Sequence, residues 1–243
     1  MPGFRFELFG NTPLRELATA VEEQDTLKIV SIVKNEKVNI DFFESKFGQT
    51  LLTLALIDNK SSSAKILLSL GADPNIRSQI DNSTPFLTLC RYIRQVNSGL
   101  GIISLLINHG ADVNAVQEEK QVNPAGRKVT IKNSALQYLI SFGAIEDVQL
   151  LVEKGTRLDI YPKNGKNSIL CTAIFNPRLD ILRYLLIDKK ASIPDYCYIR
   201  DEGKPNQKII TLRDLILDRK EAENIHEREL KNEILAYLKE HGH

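Results

Sequence analysis

The chain of 243 residues has no Trp and a single Met. Cys occurs only at 90, 171 and 197, and His only at 109, 226, 241 and 243. Three scattered Cys are too few for a disulfide framework or a zinc site, so they are expected as free thiols. No apolar run reaches the roughly 18 residues of a membrane span, so no membrane partner is expected. An excess of charge of one sign is also missing. Lys and Arg number 32 against 31 Asp and Glu, for a net charge of +1. Without a basic block the chain lacks the electrostatic footprint of a general nucleic-acid binder. The opening MPGFRFELFG lacks a basic start, a long apolar stretch and a small-residue cleavage site. That absence, with three free thiols, sets the expectation of a cytoplasmic protein.

What is present is ordinary in bulk and unusual in order. With 42% hydrophobic residues the chain has enough apolar side chains to escape long-range disorder, and its length allows one large domain or two ordinary ones. A phrase recurs: a helix ending in apolar residues, then Gly-Ala-Asp or a variant, then Asn. It reads SLGADPNI at 69–76 and NHGADVNA at 108–115, with degraded copies EKGTRLDI at 153–160, DKKASIPD at 188–195 and NEKVNIDF at 35–42. The terminal KEHGH looks like the same helix end, stopping at Gly242.

A second phrase alternates with the first: GNTPL at 10–14, GQTLL at 48–52, NSTPF at 82–86, NSAL at 133–136, NSIL at 167–170 and ITL at 210–212. Each opens an apolar stretch of helical period. Ser or Thr there can accept a backbone N–H and cap the helix, and Pro in the first turn already has the helical φ. Thr12-Pro13 and Thr84-Pro85 carry that start signal in full. Gly71, Gly110 and Gly155 suit the left-handed residue that ends a helix.

The unit is therefore turn, helix, short turn, helix, Gly, loop. It resembles the ankyrin repeat, whose G-x-T-P-L-H-x-A and L-L-x-x-G-A-D-V-N phrases return about every 33 residues. The resemblance covers nearly the whole chain, is closest around 48–76 and 99–115, and is weakest at the C-terminus. It implies an all-α solenoid of about six helix-turn-helix units in one domain over 1–243, near 10–42, 47–78, 81–115, 131–160, 164–194 and 208–243. The His that follows T-P-L in the family and bonds neighbouring loops is absent. Arg15, Thr53, Leu87, Gln137, Cys171 and Arg213 stand in its place, so those bonds must be made differently.

Irregular spacing locates insertions. Gly71 and Gly110 are 39 positions apart, Gly110 and Gly155 are 45, and Lys190 and Gly242 are 52. The first insertion, near 91–99, adds a turn or a bulged linker. The second, near 116–131, centres on VNPAGR at 122–127, whose Pro and Gly fit a type I turn between two alternating strands. The third, near 196–209, also reads as a hairpin. Insertions in repeat proteins often project on the binding face, although surface loops tolerate added length cheaply in any case. At the C-terminus, charges of alternating sign between Asp218 and Lys239 read as a solvated cap over a stripe of Leu230, Ile234, Leu235 and Leu238.

Catalytic chemistry has little to stand on. His226-Glu227 opens like a zinc-protease helix, but position 230 is Leu. His109 suits a helix C-terminus. No phosphate loop, dinucleotide fingerprint or nucleophile elbow appears. Cys90 and Cys171 read as buried small hydrophobes, and Cys197 as an exposed thiol worth testing for reactivity. The reading is of no enzyme, no cofactor and no metal.

The resemblance implies that a protein partner lies on a concave face of loop tips and first-helix ends. Carried over unit by unit, the tips are Phe47, Gln49, Ile80 and Asn164, with Lys46, Ser83, Lys132, Asn133, Lys166 and Asn167 beside them. The helix ends are Asp58, Arg91, Tyr92, Phe142, Phe175 and Asn176. Tyr92, Phe142 and Phe175 would form an aromatic ladder, although such rings also pack between helices. Lys120, Arg127, Lys128 and Lys132 make the second insertion locally basic, which suits an acidic patch on the partner. Among stand-alone bacterial proteins of this kind, the resemblance implies an immunity protein that neutralises a toxin and is monomeric when free. The alternatives are a host-directed effector or scaffold, and a small-ligand or enzymatic protein using Cys197 or a cleft by the insertions.

Overall fold

Five helices begin on a Ser or Thr hydroxyl. Thr50, Thr84, Ser134, Ser168 and Thr211 each accept the backbone N–H three residues ahead, at 3.1–3.2 Å. Each side chain thus satisfies one of the donors that a helix start leaves without an internal partner. The first expected cap departs from this pattern. Thr12 donates its hydroxyl to the Phe9 carbonyl at 2.8 Å, closing the 3-10 turn Phe6–Phe9, and the helix begins later, at Arg15.

The structure, a computed structural model, describes residues 5–97, 99–122, 128–159, 161–219 and 225–243. It is mostly helical with a few short strands, and it divides into two compact units, 1–155 and 156–243. The first unit contains α1 (Arg15–Glu23), α2 (Thr26–Glu36), α3 (Leu51–Ile57), α4 (Ser61–Ser69), α5 (Pro85–Arg91) and α6 (Gly99–Asn108). The antiparallel strands β1 (Val116–Val122) and β2 (Lys128–Ser134) follow, then α7 (Ala135–Phe142) and α8 (Ile145–Glu153). The strands stand where a hairpin is expected, and the turn between them lies outside the described residues.

Helices of seven residues are too short to persist alone in water. They are held by packing, in two rows. In one row α1 packs on α3, α3 on α5 and α5 on α7; in the other α2 packs on α4, α4 on α6 and α6 on α8. The sequence of α3, LLTLALI, has no polar face, and all seven residues are buried. α4 is amphipathic and buries Ser63, Ala64, Leu67 and Leu68. Full burial of one such Leu contributes roughly 1.5–3 kcal/mol. The second helices end on left-handed residues, as the glycines suggest: φ is 97° at Gly71, 86° at Gly110 and 91° at Gly155, and Lys37 holds the equivalent place at 50°.

The second unit contains α9 (Ile169–Phe175) and α10 (Leu179–Arg183), the latter running into a π-helical turn at Tyr184–Asp188. Next come the antiparallel pair β3 (Tyr198–Arg200) and β4 (Lys208–Ile210), in the place of the third insertion, then α11 (Leu212–Leu217) and α12 (Ile225–Glu240). α9 packs on α11 and α10 on α12. α12 buries Ile234 and Leu238, while Leu230 and Leu235 are half-buried. Arg183 fastens α12 through forked bonds to Glu233 at 2.9–3.1 Å and also holds Asp188 at 2.7 Å.

Candidate functional site

The loop tips of the first unit are built alike. In the loop 44–49 the Glu44 carboxylate is 2% exposed and accepts three backbone N–H groups, from Lys46, Phe47 and Gln49, at 2.8–3.0 Å. The Glu44 N–H donates to the Gln49 carbonyl at 3.0 Å. In the loop 78–83, the Ser78 N–H likewise donates to the Ser83 carbonyl at 2.8 Å, and Ser78 Oγ accepts the Ile80 N–H. The two loops touch at Gly48, where φ is 67° and an added Cβ would strike Ser78 Oγ and the Ile80 side chain. Gly is required there twice over, by conformation and by space.

These braces decide where the expected tip residues point. Phe47 is half-buried with Lys46 Nζ 5.2 Å from its ring centre, and Ile80 is 57% exposed. Gln49 is turned inward, and its side-chain amide donates to the Phe47 carbonyl at 3.2 Å. A cleft of about 530 Å3 runs past Asp41, Phe42, Glu44, Gly48 and Ile80. The base of the β1–β2 ribbon is pinned to the 78–83 loop. Arg77 reaches the carbonyls of Asn82 and Val116, and Gln117 donates to the Asp81 carbonyl at 2.8 Å while accepting from the Tyr138 hydroxyl at 2.8 Å. On the ribbon, Lys132 lies opposite Glu118 and pairs with it at 2.8 Å. Lys128 is in β2, opposite Val122. Arg127 lies outside the described residues.

Loops of successive repeats are joined through the Asp-x-Asn phrase. Asn39, Asp73 and Asp112 each accept the backbone N–H two residues on, at 2.8–3.1 Å. The next side chain then reaches the following repeat. Asp41 accepts the Asp73 N–H at 3.0 Å, and Asn75 accepts the Asp112 N–H and donates to the Gly110 carbonyl, both at 2.8 Å. Burial raises the pKa of the Asp41 carboxyl, against the pull of the Asp73 N–H, and the Asp73 charge raises it further.

At the opposite ends of the first helices, Asp58 caps α3 and pairs with Lys60 at 3.5 Å. Arg91 is exposed, with its guanidinium 5.7 Å from the ring centre of half-buried Tyr92. The first insertion contains a 3-10 turn, Ile93–Gln95, braced on both sides. Asn59 donates to the Gln95 carbonyl and accepts the Asn97 N–H. Arg94 donates to the carbonyls of Ser141 and Phe142, at 3.1 and 3.2 Å, and covers the Phe142 ring at 5.4 Å. Phe142 keeps 36% of its surface exposed and lines a cleft of about 460 Å3 with Ile93 and Val96.

In the second unit the Asn164 side chain is fully engaged with Asp195, accepting its N–H at 2.7 Å and donating to its carboxylate at 3.0 Å. The bond from Asn164, then that from Lys163, holds the Asp195 carboxyl below its ordinary pKa. Asn176 caps α9 and donates to the Thr172 carbonyl. Phe175, 40% exposed, lies 6.0 Å from the Tyr198 ring.

The cysteines require a correction. Cys171 and Cys197 form a disulfide, with Cα atoms 5.5 Å apart, and both are buried. Cys197 is therefore neither exposed nor a thiol, and the enzymatic reading that used it falls with it. Two Cys 26 positions apart signal nothing in one dimension; the hairpin brings them together. The free thiol is Cys90, whose pKa burial pushes up, making it a poor nucleophile. With two of the three cysteines oxidised, the cysteines do not point to a reducing compartment. His109 and His241 each bond a carbonyl one turn back in their own helices. Among the described residues no cluster of three or more His, Cys, Asp or Glu is placed to hold a metal ion, and no helix is long and apolar enough to cross a membrane.

Short paired helices with braced loop tips thus recur in step with the repeated phrases of the sequence. No family model matches the chain. Two curated proteins are similar to part of it. A "Putative ankyrin repeat protein" of Rickettsia bellii is 30% identical over 81 residues, covering 32% of this chain and 11% of the relative. NF-kappa-B inhibitor alpha of Homo sapiens is 28% identical over 127 residues, covering 39% of this chain and 40% of the relative. The chain thus spans well under half the length of either. Both relatives are ankyrin-repeat proteins, and the chain resembles that class in sequence as it does in its repeated phrases.

Proposed function

We propose that the chain is an ankyrin-type solenoid of about six units that works as a non-catalytic protein-binding module. Its partner sits on the loop tips and first-helix ends. The observation that carries this reading is the rigidity of what those places display. Ile80 and Phe142 are large apolar side chains left exposed on segments whose backbones are bonded at the base. Pre-organised anchors lose little entropy when a partner lands on them. The name of the human relative describes a protein that inhibits another protein, which agrees with this class of function.

The test is capture of the partner from the native cell with the full chain, followed by affinity measurement on variants. Arg91→Ala with Tyr92→Ala, and separately Ile80→Ser, are expected to weaken binding by more than about 1 kcal/mol each. Unchanged affinity in all of them would remove this face from the interface. The narrower reading, an immunity protein, requires that the captured partner be a toxin and that co-expression rescue cells from it. A captured host protein would support the effector reading instead.

A further inference from the structure

The second unit has a surface group that neither the fold nor the braced tips require. Tyr198 and Arg200 are two apart on β3 and so face the same side, and Lys208 lies directly opposite Arg200 on β4. Arg200 Nη2 is 3.4 Å from the Tyr198 hydroxyl, and Lys166 Nζ is 5.6 Å from the Tyr198 ring centre. The Phe175 ring adjoins Tyr198 from the end of α9. Among the described residues none of Lys166, Arg200 and Lys208 has a carboxylate within ion-pair distance, whereas neighbouring Lys163 and Lys204 pair with Asp195 and Asp201. Beyond Tyr198 a cleft of about 350 Å3 continues past Arg200, Lys208 and Leu217, the last 53% exposed. Two carboxylates line its far wall. Asp214 accepts the N–H and hydroxyl of Thr211, which keep it ionised, and with Asp218 it faces Arg200 and Lys208 across the cleft, with Lys166 beside the Tyr198 ring.

We propose that Phe175, Tyr198, Lys166, Arg200, Lys208 and Leu217 form a seat for an acidic protein segment that carries one apolar side chain. The apolar side chain lies on Phe175 and in the Leu217 cleft, and its acidic neighbours meet the three cations. Charge complementarity beside the rings selects a carboxylate-rich segment, because none of the three cations is closed off by a direct ion pair, although Arg200 feels Asp201 and Asp218 and Lys208 feels Asp214 at longer range. Three cations and a net charge of +1 fall short of the phosphate neutralisation on which nucleic-acid binding rests. The disulfide gives the seat its shape: Cys171 is one helical turn from Phe175 on α9, and Cys197 is next to Tyr198.

This inference deepens the protein-binding reading and rests on it. The experiment is fluorescence anisotropy with the full, oxidised chain and a labelled short peptide of glutamates around a central phenylalanine. Comparators are the same peptide with glutamine for glutamate, and oligothymidylate. The glutamate peptide is expected to bind, and to bind less tightly as salt rises. Lys166→Glu with Arg200→Glu, and separately Phe175→Ser, are expected to lose at least about tenfold in affinity. Lys189→Glu, on the same unit, is expected to bind as the parent does, and circular dichroism checks that each variant is folded. Absence of binding, equal binding of the two peptides, tighter binding of oligothymidylate, or an unaffected double variant would each overturn the seat. Capture of the native partner through the Arg91 and Tyr92 face is a separate readout, so loss of the seat and loss of the wider reading are told apart.

Discussion

Asn75 holds the loop of the next repeat by both ends of its amide: Oδ1 accepts the Asp112 N–H and Nδ2 donates to the Gly110 carbonyl, each at 2.8 Å. One side chain thus joins loops that are 37 positions apart in the chain. Asn75→Ala is expected to destabilise the protein by about 1–2 kcal/mol, since two hydrogen bonds are lost. Asn75→Asp keeps the acceptor but turns a carboxylate oxygen against the Gly110 carbonyl, so it should not rescue the loss. Urea denaturation measures both, and an Asn75→Ala variant as stable as the parent would show that the loops hold without the clip.

The disulfide yields a count and an energy. In denaturant without reductant, thiol titration should find one reactive group, Cys90, and after reduction all three cysteines. Replacing Cys171 or Cys197 by Ser opens a link between residues 26 positions apart. That should cost about 3 kcal/mol, mainly by freeing the unfolded chain. Three titratable thiols in an unreduced sample would rule the bond out.

Asp41 and Asp214 should respond to pH with opposite signs. Burial raises the Asp41 pKa above its unfolded value, so its ionised form weakens the fold as pH rises through the carboxylate range. Asp41→Asn keeps an acceptor for the Asp73 N–H, as Asn75 does for the next loop. It should match or exceed the parent in Tm at neutral pH, the gap closing as pH falls below both pKa values. Bonds from Thr211 lower the Asp214 pKa. Its contribution is therefore present above the unfolded pKa and is lost as pH falls through the folded one. Asp214→Asn should be destabilised at neutral pH and converge on the parent in acid. Thermal melts across pH decide both cases, and parallel curves for parent and variants would contradict the assignment.

Arg94 is a brace as well as a surface cation. Its guanidinium caps the end of α7 at Ser141 and Phe142 while covering the Phe142 ring. Arg94→Lys should not substitute for it, because an ammonium cannot present a planar fork to two carbonyls. Both Arg94→Ala and Arg94→Lys are expected to lose about 1 kcal/mol, with faster hydrogen exchange in the last turn of α7. Rescue by Lys would mean that charge alone suffices.

How much of this was legible beforehand depends on the range over which each feature acts. The caps at Thr50, Thr84, Ser134, Ser168 and Thr211 and the left-handed Gly71, Gly110 and Gly155 follow from the repeated phrases, because a cap reaches three residues and a φ angle belongs to one. The two antiparallel strand pairs are readable from the alternation of their residues around turn-forming ones. Thr12 departs from the pattern because its hydroxyl, while donating to the Phe9 carbonyl, accepts the N–H of Leu14, two residues on rather than three, and the helix starts only at Arg15. Gln49 was expected at a binding surface, but the Glu44 loop turns it inward. Tyr198, Arg200 and Lys208 gain meaning only when the strands pair and α9 brings Phe175 alongside.

The sequence by itself determined the repeating unit, its helix starts and stops and the places where it is interrupted, since these rest on contacts within one turn of chain. Tertiary structure alone decided that Cys171 meets Cys197, that Asn75 clips the loop at Gly110 and Asp112 and that Arg94 reaches α7. Each joins residues 26 to 48 positions apart. No local preference encodes such a meeting. It exists because packed helix rows hold the two ends within bonding distance, where a directional bond either forms or does not.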